Sequence, residues 1–254
     1  MKISIITVCF NSKATIGFAI DSVLAQTHPD IEYIVIDGAS NDGTSKLLEE
    51  YGVRIAKIVS ERDSGIYNAM NKGLALATGD YVGFLNADDQ FSSPDVIADV
   101  VEGLSRTKAD LLYGNLVYVD KDRPSRVVRL WRSGEFYRSR LFFGWMPPHP
   151  TFYVRRTLQH SLGYFNEELR ISADYDFMLR CLVHPGVCWL YLDKRMVDMR
   201  TGGASNRSLR AIMIKSREDL QVLRTNRIGG VLTLICKNFR KVPQFLLRAG
   251  KSAG

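Results

Sequence analysis

The sequence predicts an α/β fold with a mostly parallel sheet flanked by helices. Three observations lead to this prediction. Short apolar runs alternate with amphipathic segments, glycine-rich or polar turns follow several of these runs, and the run at residues 81–85 ends beside two adjacent carboxylates. Strands that alternate with helices usually lie parallel, and ligands bind at the carboxyl ends of such strands. We therefore expect a ligand site where the apolar runs end.

The predicted elements follow one another regularly up to Asp89. Strands are predicted over residues 3–8, 31–36, 54–59 and 81–85. Helices are predicted over residues 13–26, from about residue 43, and over residues 65–77. Beyond Asp89, a helix over residues 94–105 and a strand over residues 110–119 precede a loop-rich stretch at residues 123–150.

Length and composition narrow the class of protein. A chain of 254 residues can bury one substantial core. It contains no run of about 18 apolar residues, and a strand begins directly after Lys2, so we expect neither a membrane span nor a signal peptide. The four cysteines are widely separated and lack CxxC spacing, which favours reduced thiols in a cytoplasmic protein.

The positive charge is concentrated at the C-terminal end. Residues 200–254 contain twelve Lys and Arg against Glu218 and Asp219, a net charge of +10, so the total of +7 leaves 7 − 10 = −3 for residues 1–199. The apolar stretch at residues 228–239 lies among these basic residues. Two interpretations remain open: contact with an anionic membrane surface, or a solvated helical segment that closes the domain. No nucleic-acid-binding motif accompanies the charge, so we expect no nucleic acid partner.

The carboxylates after residue 85 suit a divalent cation. Mg²⁺ and Mn²⁺ commonly take one or two protein oxygens and fill their other positions with water and phosphate oxygens. Asp88 would supply such a ligand at the end of a predicted buried strand. The alternative is that Asp88 and Asp89 only end the strand or cap the following helix, as aspartate commonly does.

Three other segments end predicted strands on the same edge. Thr7-Val8-Cys9-Phe10-Asn11 ends the first strand, where a small residue and an aromatic ring could flank a base. Asp37 ends the second and is placed to accept a hydrogen bond from a base or a ribose. Asp63 and Lys72 lie in the segment after the third strand, within reach of a nucleotide. For Asp42 and Gly43 we prefer ordinary cap and turn chemistry.

These segments together resemble the family 2 glycosyltransferases of the GT-A fold, over roughly residues 1–205. The resemblance rests on four segments in a fixed order: the first strand end, the turn Asp37-Gly38-Ala39-Ser40-Asn41-Asp42-Gly43-Thr44, the segment Asp63-Ser64-Gly65-Ile66-Tyr67-Asn68-Ala69-Met70-Asn71-Lys72-Gly73, and Asn86-Ala87-Asp88-Asp89 in the position of the DxD motif. Asn86 stands where that motif has its first aspartate, which weakens a metal role for residue 86 but not for Asp88.

The resemblance implies a nucleotide-sugar site across the strand ends, a metal held at Asp88, and Mn²⁺ or Mg²⁺ as cofactor. The implied nucleotide-sugar-binding residues are Thr7, Cys9, Asn11, Asp37, Asp63, Lys72, Asn86, Ala87 and Asp88. The implied organisation is a glycosyltransferase domain over residues 1–205, whose nucleotide-sugar-binding half covers residues 1–115 and whose acceptor-side half covers residues 116–205. A basic helical extension would occupy residues 206–254.

The resemblance also places a catalytic base in the second half. Asp174, in Ser172-Ala173-Asp174-Tyr175-Asp176, occupies the position of the family's acidic catalytic residue at a helix start. The alternative for Asp174 is a favourable interaction with the helix dipole. Asp176 points elsewhere on the helix, so a structural or acceptor-binding role is expected for it. His149 could contact a phosphate, the metal or the acceptor, or only rigidify its proline-rich turn. Arg200, before a glycine-rich loop, could neutralise the leaving diphosphate.

The sequence therefore predicts an inverting, metal-dependent glycosyltransferase. It would move a hexose or N-acetylhexosamine, most simply from a UDP-sugar, to a hydroxyl of a glycan or lipid-linked acceptor in polysaccharide or cell-envelope biosynthesis. We expect a cytoplasmic protein, with peripheral contact at the inner face of the membrane as one interpretation of the basic tail. Two other functions stay open: a non-catalytic nucleotide-sugar-binding module, and a nucleotidyltransferase, although the basic phosphate-gripping loop expected of the latter is missing after the first strand.

Overall fold

A computed structural model describes residues 1–202 and 209–240 of the chain. Nine strands in this described part form one sheet: β1 (Ile3–Cys9), β2 (Ile31–Asp37), β3 (Lys57–Ser60), β4 (Tyr81–Phe84), β5 (Gln90–Phe91), β6 (Leu111–Val119), β7 (Val127–Trp131), β8 (Tyr153–Arg155) and β9 (Trp189–Arg200). The helices are α1 (Ile16–Leu24), α2 (Thr44–Tyr51), α3 (Ile66–Leu76), α4 (Val96–Thr107), α5 (Arg138–Phe142), α6 (Arg156–Leu162), α7 (Ala173–Val183), α8 (Leu209–Thr225) and α9 (Val231–Phe239). Short 3₁₀ turns cover Gly52–Arg54 and His149–Thr151.

The strand order is β3-β2-β1-β4-β8-β6-β9-β5, with β7 paired to β6. The first four strands in this order are all parallel, and the long β6–β9 pair is parallel too. The shorter pairs β4–β8, β6–β8, β5–β9 and β6–β7 are antiparallel. This architecture confirms the predicted α/β sheet flanked by helices and adds antiparallel strands to its second half.

Both faces of the sheet are buried, as expected for strands that are apolar on both sides. Along β1, Ile6 and Val8 belong to the core on the α3 side, whereas Ile3 and Ile5 belong to the core on the α1 side. This alternation follows the two-residue period of a strand. A Cβ at Gly73 of α3 would lie 2.5 Å from Ile6 Cγ2, so a residue without a side chain lets the helix approach the sheet this closely.

The register of the parallel strands collects the predicted ligand residues. Cys9 pairs with Asp37 between β1 and β2, and Asp37 pairs with Ser60 between β2 and β3. The amide of Leu85, after β4, donates to the carbonyl of Ile6 at 3.0 Å. The carboxyl ends of four strands therefore lie side by side at one edge of the molecule.

The C-terminal helices pack behind α7. Glu218 and Asp219 of α8 are buried and bond to the segment that precedes α7, and Lys237 of α9 is buried in an ion pair with Asp219. In the described residues, no helix combines the length and the hydropathy that crossing a bilayer requires. The glycine-rich loop beyond Gly202 and the basic residues of 203–208 and 241–254 lie outside the described part of the chain.

Candidate functional site

Asp37 is the most heavily hydrogen-bonded carboxylate at the strand edge. It is fully buried and accepts hydrogen bonds from the hydroxyls of Ser40, Ser45 (2.9 Å) and Ser60 (2.6 Å) and from the Ser40 amide (3.1 Å). Burial by itself raises the pKa of Asp37, but these hydrogen bonds outweigh it and hold the pKa below its ordinary value. The carboxylate is therefore charged at neutral pH, and its main structural effect is to shape the β2 turn.

The thiol of Cys9 lies against the same carboxylate. Its Sγ is 3.6 Å from Asp37 Oδ1, and burial followed by the negative charge of Asp37 raises the thiol pKa. Cys9 is thus a neutral, buried thiol next to the turn. It can form one wall of a ligand slot, but it is not a nucleophile.

Asp63 and Phe10 flank the β2 turn from the outside. A Cβ at Gly38 would lie 2.5 Å from Asp63 Oδ2 and 3.3 Å from Phe10 Cδ2, so the carboxylate and the ring cover the bare glycine backbone. Phe10 is 62 % exposed. The Asp63 side chain also accepts a hydrogen bond from the Gly65 amide at 2.9 Å, which fixes it at the start of α3. An exposed ring beside a fixed carboxylate suits a planar base with hydrogen-bond donors.

Asn11 holds the loop after β1 against the β2 turn. Its backbone has a φ of 51°, its side-chain oxygen accepts from the Asn41 backbone amide at 3.0 Å, and its backbone amide donates to Ser40 Oγ at 2.8 Å. Asparagine tolerates this left-handed conformation better than most residues. Asn11 therefore positions the two loops on which Asp37 and Phe10 lie.

Two carboxylates with different environments follow β4. Asp89 is 1 % exposed and accepts hydrogen bonds from Asn86 Nδ2 at 2.7 Å and from the Arg200 amide at 3.3 Å. Burial, and then the charge of neighbouring Asp88, raise the pKa of Asp89 well above its ordinary value. Asp88 is half-buried. Asp89 therefore ties the β4 turn to the end of β9, while Asp88 is the more solvent-accessible carboxylate of the pair.

Asp88 fits a divalent cation of the kind that binds with few protein ligands. In the described residues, no group of three or more His, Cys, Asp or Glu side chains is placed to hold a metal ion by itself. One half-buried carboxylate at a strand end instead matches the way Mg²⁺ is bound through one or two carboxylates plus substrate phosphates. Such an ion would depend on a phosphate-bearing ligand for most of its coordination.

Arg200 ends β9 next to this turn. Its guanidinium carbon lies 4.4 Å from the centre of the Phe18 ring on α1, and its backbone amide donates to Asp89. The side chain is half-buried. A guanidinium held on an aromatic ring in this way stays near the strand edge.

His149 connects the β4 end with the second half of the chain. It is 9 % exposed, its ring stacks on Phe84 of β4 at 5.2 Å, and it meets Phe165 edge-on at 5.9 Å. Burial lowers its pKa, and the negative charge of Asp174 opposes this effect. The imidazole is therefore neutral at pH 7 and lies between the strand that leads to Asp88 and the helix that carries Asp174.

Asp174 is the second residue of α7 and is held from two sides. Its Oδ1 accepts hydrogen bonds from the Tyr175 amide at 2.8 Å and from Tyr67 Oη at 3.2 Å. Tyr67 also donates to the Ile171 carbonyl at 2.6 Å. Among the described residues, hydrogen bonds reach Oδ1 only, which leaves Oδ2 to accept a proton from a ligand.

Glu218 fixes the segment that leads into α7. Its carboxylate accepts three backbone hydrogen bonds, from Arg170 and Ile171 at 2.9 Å and from Ser172 at 3.0 Å. The preceding segment cannot shift without breaking these charge-assisted bonds. The position of Asp174 is therefore set by α3 on one side and by α8 on the other.

Several of the predicted residues make structural contacts within the protein. Thr7 is fully buried, donating to the Leu85 carbonyl at 2.8 Å, and Ala87 is 7 % exposed. Lys72 forms an ion pair with Glu61 at 2.7 Å and donates to the Arg62 carbonyl, so it braces the loop after β3. Asp176 pairs with Arg180 at 2.9 Å and accepts from Asn226 at 3.0 Å, which links α7 to α8. These contacts describe supporting roles, and a ligand contact at these residues stays a prediction.

Three supporting residues were not predicted: Tyr67, Phe84 and Glu218. Tyr67 lay within a predicted motif, but its partner is 107 residues away in the chain. Phe84 was assigned only to a strand. The sequence does contain a signal for Glu218, because Glu218 and Asp219 are the two acidic residues among twelve basic ones in residues 200–254. A rare acidic pair in a basic segment is the pattern expected of buried, structurally required carboxylates.

Comparison with known proteins identifies the family. The family model "Glycosyl transferase family 2" matches residues 4–165, which contain the whole strand edge described above. The chain belongs to this family. Over 252 residues the glycosyltransferase is 30 % identical to the PGL/p-HBAD biosynthesis glycosyltransferase of Mycobacterium bovis, covering 97 % of this chain and 93 % of that one. It is also 28 % identical to the succinoglycan biosynthesis protein ExoO of Rhizobium meliloti, covering 74 % of this chain and 60 % of that one.

Solved structures share the fold of this glycosyltransferase. TarS of S. aureus, crystallised in complex with UDP-GlcNAc, superposes with a TM-score of 0.70 at 20 % identity, covering 98 % of this chain and 72 % of that one. The mannosyltransferase PcManGT of Pyrobaculum calidifontis, in complex with GDP-Man and Mn²⁺, superposes with a TM-score of 0.65 at 20 % identity, covering 98 % and 76 %. At these identities the likeness establishes the fold, and the GT-A architecture predicted from the motifs is confirmed.

Proposed function

We propose that this glycosyltransferase transfers a hexose or N-acetylhexosamine with inversion from a nucleotide-sugar, most simply a UDP-sugar, to a hydroxyl of a glycan or lipid-linked acceptor. One observation carries the proposal. Asp174 is held through Oδ1 by Tyr67 and the α7 backbone, and the adjacent His149 stacks on the strand that leads to Asp88. The buried ring of His149 therefore connects the strand that leads to the candidate diphosphate site with the helix that carries the candidate base.

The roles of the residues follow from their surroundings. Oδ2 of Asp174 accepts the proton of the acceptor hydroxyl while the oxygen of that hydroxyl bonds to the anomeric carbon. The bond from that carbon to the diphosphate oxygen breaks on the opposite face, and the nucleoside diphosphate leaves with the electron pair. Arg200, held on Phe18, is placed to offset the charge of the leaving group. A Mn²⁺ or Mg²⁺ ion held by Asp88 would supply further charge neutralisation when bound.

The loops at the strand edge would contact different parts of the nucleotide-sugar donor. Phe10 and Asp63 would bind the base, since they cover the Gly38 backbone from the solvent side. Asp37, Cys9 and Asn11 shape the slot. A uracil offers one ring N–H donor that a carboxylate such as Asp63 can accept. The UDP-GlcNAc complex of TarS supports a uridine donor without fixing it for this chain.

Association with lipid would occur on the acceptor side of the enzyme. We propose a cytoplasmic enzyme that binds the inner membrane face through α9. This helix buries Thr233 and Lys237 and exposes the apolar side chains of Val231, Leu232, Ile235 and Phe239. An exposed apolar stripe beside basic residues suits an anionic membrane surface. Cell-surface biosynthesis is supported by the names of the succinoglycan and PGL/p-HBAD relatives.

The test of transfer chemistry is donor hydrolysis, which needs no known acceptor. UDP-, GDP- and dTDP-sugars would be screened with Mn²⁺, followed by three variants on the best donor. Asp174→Asn should reduce the rate about 10²- to 10⁴-fold while donor binding stays within about 2-fold. Asp88→Asn should reduce binding and rate together, and excess chelator should mimic it. Asp122→Asn, on the exposed β6–β7 loop, is the matched control and should match the wild type.

Two outcomes would contradict this assignment. Donor binding without hydrolysis of any donor in the wild type would support a non-catalytic binding module. Full activity of Asp174→Asn would place the base elsewhere.

The membrane proposal has a separate test. Leu232→Glu and Phe239→Glu should abolish co-sedimentation with anionic vesicles, because each puts a charge on the exposed stripe. Val53→Glu, at a fully exposed apolar side chain outside α9, is the control and should bind like the wild type. Equal sedimentation of all four proteins would refute membrane contact through α9.

A further inference from the structure

A cavity of about 280 Å³ lies between the end of β7, the α5 region and α9. Its walls come from three parts of the chain that are distant in sequence. The lining residues are Arg129, Trp131, Arg132, Ser133, Gly134, Arg140, Gly144, Trp145, Met146, Lys237 and Arg240. This volume is at the small end of the range for ligand pockets, so it suits a compact group rather than a whole sugar nucleotide.

The lining is strongly cationic. It includes four arginines and a lysine, and none of these described lining residues is a carboxylate. Arg132 and Lys237 are each paired with an aspartate outside the cavity, Asp193 and Asp219. Within the described residues, Arg140 and Arg240 have no such ion pair. Arg140 donates to the backbone carbonyl of Glu135, and burial, followed by the like charge of Arg140, lowers the pKa of Arg240. Both side chains line the cavity, and neither has a carboxylate partner among the described residues.

Aromatic rings hold two of the cations in place. The Arg140 guanidinium lies 5.9 Å from the Trp145 ring, and the Arg129 guanidinium lies 5.4 Å from the Trp131 ring. Trp145 is 3 % exposed and donates to the Ser133 carbonyl at 2.8 Å. Because the rings are fixed by packing and hydrogen bonding, the guanidinium groups are preorganised for a ligand.

The cavity is adjacent to the candidate base. Lys237 lines the cavity and is paired with Asp219, which also accepts a hydrogen bond from Ser172 Oγ, two residues before Asp174. Lys237 also lies over the ring of Tyr175, the residue after Asp174, at 3.2 Å. On the other wall, Met146 is three residues before His149. The cavity therefore lies beside the start of α7, which carries Asp174, and its lining includes neither Asp37 nor Asp63 of the strand edge.

We propose that this cavity binds a phosphoryl group carried by the acceptor, with Arg140 and Arg240 as its principal ligands. Arginine forks match phosphate oxygens in pairs, and a phosphoryl group would supply the negative charge that this cationic lining lacks. The inference rests on the proposed glycosyl transfer, because it assigns the cavity to the acceptor. It narrows the acceptor to a phosphorylated or diphosphate-linked molecule.

The first arm of the test uses soluble inorganic pyrophosphate in the presence of excess chelator, so that no metal ion can recruit it to Asp88. Two of the three tryptophans line the cavity, so their intrinsic fluorescence reports binding. A saturable change is expected that sodium chloride at equal ionic strength does not produce. Arg140→Gln and Arg240→Gln should each weaken it at least 10-fold. Arg138→Gln, which is exposed on the same helix as Arg140 and does not line the cavity, is the matched control.

The second arm uses phosphatidylcholine vesicles with and without phosphatidic acid. Dependence on both phosphatidic acid and Arg140 would identify a lipid phosphate as the source, whereas a response to pyrophosphate alone would identify a soluble phosphoryl group. Either result supports the cavity. The absence of saturable binding in both arms, or equal binding by the Arg140→Gln and Arg138→Gln variants, would overturn the proposal.

Donor binding and hydrolysis, measured in the same variants, separate this inference from the proposed function. Both should be unchanged in Arg240→Gln, because Arg240 lines this cavity, whose described lining includes none of Asp37, Asp63 or Asp88. Loss of pyrophosphate binding with intact donor hydrolysis supports the acceptor site. Intact pyrophosphate binding in a wild type that hydrolyses no donor would refute glycosyl transfer while leaving an anion site.

Discussion

The buried ion pair between α8 and α9 provides the sharpest stability prediction. Lys237 Nζ lies 2.9 Å from Asp219 Oδ2, and the two side chains are 3 % and 2 % exposed. Lys237→Met keeps the length and apolar stem of the side chain but leaves the Asp219 charge buried with one remaining hydroxyl partner, Ser172 at 2.8 Å. Removing one partner of a buried pair typically costs about 3–5 kcal/mol.

That loss is a large part of the free energy of unfolding of an ordinary domain, which is about 5–15 kcal/mol. We expect it to appear in urea denaturation followed by far-ultraviolet circular dichroism at pH 6, where both partners are charged. The double variant Lys237→Met/Asp219→Asn should recover about 2 kcal/mol or more, because the uncompensated charge is gone. Lys46→Met, at an exposed lysine of α2, is the control and should change stability by less than about 0.5 kcal/mol.

The reasoning fails if Lys237→Met costs less than about 1 kcal/mol, the ordinary effect of a point substitution. It also fails if the double variant is as unstable as the single one. The second result would mean that the lysine stem, and not its charge, joins the helices.

Two further predictions concern the same region. Burial lowers the pKa of Lys237 to about 7 against the opposing charge of Asp219, whereas an unfolded lysine titrates near 10.5. Between these values the unfolded chain binds more protons, so the wild-type free energy of unfolding should rise from pH 7 to pH 9 more steeply than that of Lys237→Met; parallel pH curves would contradict this. Tyr67→Phe removes the hydroxyl that holds Asp174, so kcat for donor hydrolysis should fall about 5- to 20-fold, consistent with the loss of about 1–2 kcal/mol of hydrogen bonding, with KM nearly unchanged. An unchanged kcat would show that the helix backbone alone positions Asp174.

The first half of the fold could be predicted because its signals are local. Its strands are apolar on both faces and end in turns, so periodicity and composition suffice. Two of these elements begin three residues later than predicted: α1 begins at Ile16 instead of residue 13, and β3 begins at Lys57 instead of residue 54, because Gly52–Arg54 forms a 3₁₀ turn. In the second half, the strand predicted over residues 110–119 is found as β6 (Leu111–Val119). Strands β5 and β8 escaped prediction because they have only two and three residues and form by pairing with distant strands.

The residues of the candidate site also divide into those with a local sequence signal and those whose position depends on tertiary contacts. Asp37, Asp63 and Asp88 follow strands, and a strand end is visible in the sequence. Glu218 and Lys237 were assigned to a basic, solvent-facing or membrane-facing segment, because charge suggests exposure. In the structure both point inward, and they are buried because each meets a specific partner: three backbone amides for Glu218 and Asp219 for Lys237. Such pairing depends on tertiary contacts that no local pattern encodes.

The support of Asp174 by α8 has a consequence for how the enzyme matures on the ribosome. The family-matching region ends at residue 165, and the whole strand edge is complete before Asp174 is synthesised. The carboxylate of Glu218 that fixes its loop is added 44 residues after Asp174, and Lys237 later still. A chain that ends before residue 218 thus contains the strand edge and Asp174 but lacks the carboxylate that fixes the segment before α7. Under the proposed function, the candidate base of such a chain would stay unpositioned until α8 has been synthesised.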